Sequence, residues 1–230
     1  MFAPLLFFEG DFMGEQISFK TRVKNIAIQY AKEYYSYYVC KSYIIISDAF
    51  ERRTFYEIEA EKSNYLHLVG VSTGLSAEEF FDKCLNGTLD DMDFELVFHG
   101  KDPKFSKGSI RQKIITLPDM MNIFSVTSLV EEDFHKNVVR CSIATTNGLC
   151  TVGFVTTPQA RPMTLLKGDE LDHSKTSNLK IVLSKSRDES LYSNVVVGSD
   201  ADIATYYDDI KDILDETLIR RIDKIISENN

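Results

Sequence analysis

His67 is framed by apolar residues in the run Leu66-His67-Leu68-Val69-Gly70. An imidazole there can take or give a proton near neutral pH. Further along, Lys107, Arg111 and Lys113 make the most basic local patch in the chain. An arginine offers two parallel donors to a phosphate, and a lysine offers a compact charge. These residue types suit metal-free cleavage of RNA. A base deprotonates a 2′-hydroxyl, an acid protonates the leaving 5′-oxygen, and cations hold the phosphate. For that chemistry the catalytic candidates are His67, Arg111 and Lys113, and the phosphate-binding candidates are Lys107, Arg111 and Lys113. Plainer readings stand beside this one. A histidine on an apolar stretch also serves as a hydrogen-bonded core residue. A basic patch also serves as the solvated face of a helix.

Other templates fail. The chain has no G-x-G-x-x-G, P-loop, G-x-S-x-G or H-E-x-x-H motif. The remaining histidines, His99, His135 and His173, are too scattered to spell a zinc site. Cys40, Cys84, Cys141 and Cys150 form no C-x-x-C pair, so reduced thiols in a cytoplasmic protein are expected. Asp90, Asp91 and Asp93 lack the spacing of a calcium loop and read as a solvated helix start. No metal and no cofactor is expected.

Composition sets outer limits. A net charge of −9 on 230 residues argues against nonspecific coating of nucleic acid, though it leaves room for a local basic cleft. A hydrophobic share of 43% is enough for a sizeable core. Residues 1–14 are apolar but lack a basic first segment, and Pro4, Glu9 and Gly10 interrupt them, so they do not read as a signal peptide. No run nears the ~18 apolar residues of a membrane span. No membrane partner is expected.

Several elements must position these residues. Residues 15–38 read as a helix, with Phe19, Val23, Ile26, Tyr30, Tyr34 and Tyr37 on one face. Lys20, Lys24 and Lys32 lie between them, on a solvated face or on a basic, aromatic surface for RNA. Residues 43–47 and 54–60 read as a hairpin of two strands. His67 then falls on a turn between strand and helix. Ser76 and Glu79 box the start of the next helix, and Asn86-Gly87 stops it. Residues 109–124 carry a second helical face, Ile110, Ile114, Leu117, Met121 and Phe124, which Pro118 is expected to split into two short helices.

After residue 135 the pattern turns to strands. Residues 138–146 and 149–157 flank Asn147-Gly148, which suits a type I′ hairpin turn. Pro158 and Pro162 bound a linker holding Arg161, with a short strand at residues 163–166 and two more at 179–184 and 193–198. Residues 201–227 read as a third long helix with an apolar face from Ile203 to Ile225. That face packs on the domain or pairs with another protomer to make a homodimer. The fold expected is α+β, with N-terminal helices packed on an antiparallel sheet and a long C-terminal helix. Residues 1–198 form one domain and 199–230 the amphipathic helix.

The stretch Tyr65-Leu66-His67-Leu68-Val69-Gly70, then Phe80-Phe81-Asp82-Lys83-Cys84-Leu85-Asn86-Gly87, resembles a phage nuclease family. It is one of the groups assigned to the barnase, EndoU, colicin and RelE-like superfamily of phage and mobile-element proteins. Looser matches are residues 110–124, residues 161–166 and the closing strands, so the likeness spans roughly residues 18–198. The resemblance implies a barnase/RelE-like α+β domain and RNase activity. It carries over no catalytic set, and only His67 and Gly70 sit on its clearest motif. The chain then reads as a metal-independent endoribonuclease, of toxin or host-takeover type, with RNA as its partner. The alternative is a non-catalytic phage or mobile-element protein that binds a host or defence protein, or an inhibitor.

Overall fold

The computed structural model describes residues 17–97, 100 and 102–228. The reading of residues 1–14 and the positions of His99 and Lys101 lie outside these. Helix α1 (Phe19–Tyr34) starts where the Ser18 hydroxyl accepts the Thr21 amide at 3.1 Å. Its buried stripe is Val23, Ala27, Ala31 and Tyr34, with Ile26 and Tyr30 at the margin. The chain runs on into a π-helical turn, Tyr35–Val39. The wider turn brings Tyr38 inward in place of the expected Tyr37, which stays exposed. Lys20 and Lys24 pair with Glu95 and Asp91, which neutralises that part of the surface considered for RNA.

Strands β1 (Lys41–Ser47) and β2 (Phe55–Glu59) form the expected antiparallel hairpin. Next comes α2 (Asn64–Val69), a short helix where a turn was expected. Tyr65, Leu68 and Val69 fall at helical spacing and are buried, and that favours the helix. A two-residue strand β3 (Ser72–Thr73) precedes α3 (Ala77–Leu85), which has the expected capping box of Ser76 and Glu79. Strand β4 (Phe94–Glu95) pairs with β3.

Helix α4 (Pro103–Met120) is one helix and not two. Its start is early, because Asp102 accepts the Lys104 and Phe105 amides and Pro103 fills the first turn. Pro118 falls in the last turn, so it removes the bond to the Ile114 carbonyl but leaves only two helical residues beyond it for a kink to displace. The expected face is buried at Ile110, Ile114, Leu117, Met121 and Phe124.

The second half supplies β5 (Leu129–Glu132), a small hairpin of β6 (His135–Lys136) and β7 (Val139–Arg140), then β8 (Ile143–Thr146) and β9 (Cys150–Thr156). The β8–β9 turn is not type I′. Asn147 keeps a negative φ and Gly148 alone is left-handed, at φ 86°. The Asn147 side chain accepts the Leu149 and Cys150 amides and donates to the Asp119 carbonyl, tying the turn to α4. Strand β10 (Ala160–Lys167) includes Arg161 and Pro162, which were expected in a linker. Strands β11 (Ser177–Ser186) and β12 (Asn194–Val197) follow.

The sheet overturns the expected fold class. Its order is β1-β2-β10-β9-β8-β5-β11, and β11 pairs back to β1. The result is a closed, mixed barrel of seven strands with β12 added at β11, not helices on an open antiparallel sheet. Closure comes from the length of β11. One edge carries β1 along Lys41–Ser47, and the other carries β5 at residues 177–178 and β12 at residues 182–184. The β2–β10 joint is parallel and rests on one pair, Ala160 with Ile58. Every barrel strand adds residues to one core shared with α1–α4, including Tyr43, Tyr56, Val130, Phe154 and Leu165.

The C-terminal segment is also broken where one long helix was expected. It consists of α5 (Asp200–Thr205), α6 (Tyr207–Ile210), a 3-10 turn and α7 (Glu216–Glu228). Leu214 leaves the helix to bridge Tyr192, and Asp215 then caps α7 by accepting the Leu218 amide at 2.9 Å. The apolar stripe is as read. Ile203, Ile210, Leu214, Leu218 and Ile222 bury against Ile44, Ile46, Ile181 and Leu183 of this chain's own β1 and β11. Among the described residues no helix is long and apolar enough to cross a membrane. Ile222 is fully buried there, so Ile222→Ala should lower unfolding stability by about 2–5 kcal/mol in a denaturant titration. A loss under 1 kcal/mol would mean that α7 is not part of the cooperative core.

Candidate active site at the seam of two helices

The inward residues of α2 fix which way His67 points. Tyr65 is fully buried and donates to the Ala27 carbonyl at 2.7 Å, while Leu68 and Val69 fill the core. His67 is left on the outer side, exposed. It is not a core histidine. Helix α2 ends at Gly70, with φ +74°, and its amide returns to the Leu66 carbonyl at 2.8 Å.

The last turn of a helix leaves carbonyls without partners. At α2 the His67 carbonyl accepts a hydrogen bond from the Lys113 ammonium of α4. The stem of Lys113 lies over Gly70. A Cβ at that glycine would stand 2.5 Å from Lys113 Cδ and 3.1 Å from Nζ. Glycine suits the left-handed backbone, and a Cβ there would push the lysine's flexible end aside.

Lys113 has no carboxylate within ion-pair distance among the described residues. Burial pushes its pKa down to about 8. His67 is also held below the ordinary histidine value, first by desolvation and then by the Lys113 charge. Near neutral pH the pair is therefore a neutral imidazole beside an ammonium. That is a proton acceptor next to a cation lacking a counter-charge.

The four expected residues divide. His67 and Lys113 come together. Arg111 and Lys113 are two positions apart on α4, about 200° around the helix axis, so they leave on different flanks. The Arg111 guanidinium sits 5.3 Å from the centre of the Phe19 ring, on the α1 side. Lys107, exposed, shares that flank. Arg161 was read as a linker residue and as part of the looser family match over residues 161–166. It reaches Glu61 at 3.0 Å, just before α2, and its Nε is buried without a partner. Its place on a strand was hidden by the two flanking prolines. Gly70 was seen, but nothing in the sequence showed that a lysine would cross it.

A second polar cleft has its central carboxylate already engaged. At one rim of the barrel a cleft of about 520 Å³ is lined by Asp48, Glu51, Arg52, Glu132 and Asp133. There the Glu132 carboxylate already accepts the Tyr56 hydroxyl and the Glu51 and Arg52 amides. Among the described residues no three His, Cys, Asp or Glu side chains converge as a metal cage requires.

A family model described as phage-Barnase-EndoU-ColicinE5/D-RelE like nuclease 4 matches residues 22–199. No curated protein and no solved structure matches the chain. The matched span contains α2, α4 and the whole barrel.

Two substitutions probe the lysine's seat. Lys113→Met should raise the melting temperature at pH 7, because it removes a desolvated charge. In the unsubstituted protein the folded pKa lies below the ordinary 10.5, so the folded state holds fewer protons between about 8 and 10.5. Its stability should rise with pH across that window, and the variant should lack this rise. Gly70→Ala should lower stability by at least about 1–2 kcal/mol from the backbone alone. Melts at several pH values check both, and an unchanged Lys113→Met profile would argue against a desolvated ammonium.

Proposed function

The chain belongs to the phage-Barnase-EndoU-ColicinE5/D-RelE like nuclease 4 family, and from that premise we propose that it is a metal-independent endoribonuclease acting through His67 and Lys113. The supporting observation is the exposed His67, whose backbone carbonyl accepts a hydrogen bond from the half-buried Lys113 ammonium. On this reading neutral His67 takes the proton of a ribose 2′-hydroxyl. The 2′-oxygen attacks the adjacent phosphorus, and the bond from phosphorus to the 5′-oxygen breaks. Lys113 neutralises charge on the phosphoryl oxygens and gives a proton to the departing 5′-oxygen. The products are a 2′,3′-cyclic phosphate and a 5′-hydroxyl. Lys113 suits the acid role because its lowered pKa brings proton transfer within reach near neutrality. The phage-type family accords with a toxin or host-takeover role against cellular RNA.

The experiment is digestion of tRNA and transcript pools in EDTA, with the ends mapped. Cyclic-phosphate ends are expected. His67→Ala should cut the rate at least about 100-fold while leaving the melting temperature nearly unchanged. The pH–rate profile should be a bell. Its acid limb follows loss of the proton from His67, below the ordinary value of 6.5, and its alkaline limb follows deprotonation of Lys113 near 8. Full activity in His67→Ala would sink the assignment. A complete lack of cleavage, with a stoichiometric protein partner co-purifying, would favour the non-catalytic binding reading.

A further inference from the structure

Helix α4 carries an uneven charge. From residue 103 to residue 118 it has no acid, yet it holds Lys104, Lys107, Arg111 and Lys113 in a chain of net charge −9. Lys104 stands in its first turn, against the preference of the helix dipole. Elsewhere cations are mostly paired, as Lys62 is with Asp82, Lys83 with Asp93 and Arg187 with Glu59. Lys104, Lys107 and Arg111 form no ion pair among the described residues. At about 100° per residue these three share one arc of the helix, about 60° wide.

Gly108 lies beside that arc, between it and Phe105. It is exposed, and a Cβ there would meet nothing within 4 Å among the described residues. Its φ is not left-handed. Glycine weakens a helix interior, and neither backbone geometry nor crowding by the described residues requires it here. Phe105 is a large apolar side chain left 64% exposed on the same outer surface. Arg111, by contrast, stands over the Phe19 ring, its Cζ 5.3 Å from the ring centre.

We propose that the outer face of α4 is a track for single-stranded RNA, with phosphates on Lys104, Lys107 and Arg111, a base on Phe105, and the strand's closest approach at Gly108. Charge complementarity selects a polyanion. An exposed aromatic with a bare backbone position beside it selects an unpaired strand, since bases stacked inside a duplex cannot reach the ring. The choice of RNA rests on the nuclease reading above. The track lies on the flank of α4 turned away from the His67–Lys113 pair, so it holds substrate and does not transfer protons.

The test uses the full chain carrying His67→Ala, so that probe RNA is not consumed, and reads binding by fluorescence anisotropy. Probes are a labelled 12-nucleotide single strand and the same sequence as a duplex. The single strand should bind at least about 10-fold more tightly. Adding Lys104→Gln, Lys107→Gln and Arg111→Gln together should weaken it at least about 10-fold, and should flatten the salt dependence by about 0.7 per lost contact. Phe105→Ala should weaken the single strand several-fold while leaving the duplex unchanged. Gly108→Leu should raise the melting temperature and weaken binding, two changes of opposite sign that a structural glycine would not produce. Unchanged affinity in the triple variant, in Gly108→Leu with its higher melting temperature, or equal binding of duplex and single strand, overturns the proposal. The two readings fail separately. Cleavage that persists in His67→Ala with binding lost in the triple variant removes the catalytic assignment alone. Cleavage dependent on His67 with binding intact in the triple variant removes the track alone.

Discussion

Strand β1 is enclosed on every side. Its edges bond to β2 and β11, and its faces meet two separate cores. Tyr43 and Ile45 lie in the core shared with α1–α4, while Ile44 and Ile46 lie beneath α5–α7. A run of β-branched residues suits such a position, because each side chain must pack and none can be solvated. The β1–β11 register is the constraint on which the rest depends. It closes the ring, and it sets the strand face on which the helical layer rests. Through α4, which packs on β9 and β10, it also fixes where Lys113 meets α2.

Local features were legible in the residues, and long-range ones were not. The Ser76–Glu79 box, the Asn86-Gly87 stop, the β1–β2 hairpin and the buried face of α4 all follow from neighbours a few positions apart. Barrel closure depends on pairing Lys41 with Ser186, across most of the chain, and no pattern of apolar residues announces a partner so distant. Periodicity also misled where a local device overruled it. A helical stripe ran through residues 203–225, but the bridge of Leu214 to Tyr192 cuts the helix while keeping the stripe buried. Pro118 would break a helix at its middle, but in the last turn it leaves only two helical residues beyond it.

The candidate site was half legible. His67 and Lys113 were both chosen for their chemistry, and the structure brings them together. Arg111 was chosen for the same reason but belongs to another flank, a distinction that helical geometry supplies once the helix is known to be continuous. The glycine that lets the lysine cross α2 became meaningful only with the fold. An ammonium desolvated with no carboxylate beside it among the described residues costs stability, which its hydrogen bond to the His67 carbonyl offsets only in part.

The ring has one thin joint. All its other strand pairs are antiparallel and share at least two residue pairs, whereas β2 and β10 touch in register only at Ile58 and Ala160. A hoop fastened at one stud opens at that stud before it tears elsewhere. The segment that leaves this clasp runs straight into α2, and Arg161 bridges the gap to Glu61 from the far side. Slackening of the clasp would therefore reach the histidine's helix first, leaving the rest of the hoop and the C-terminal cover in place.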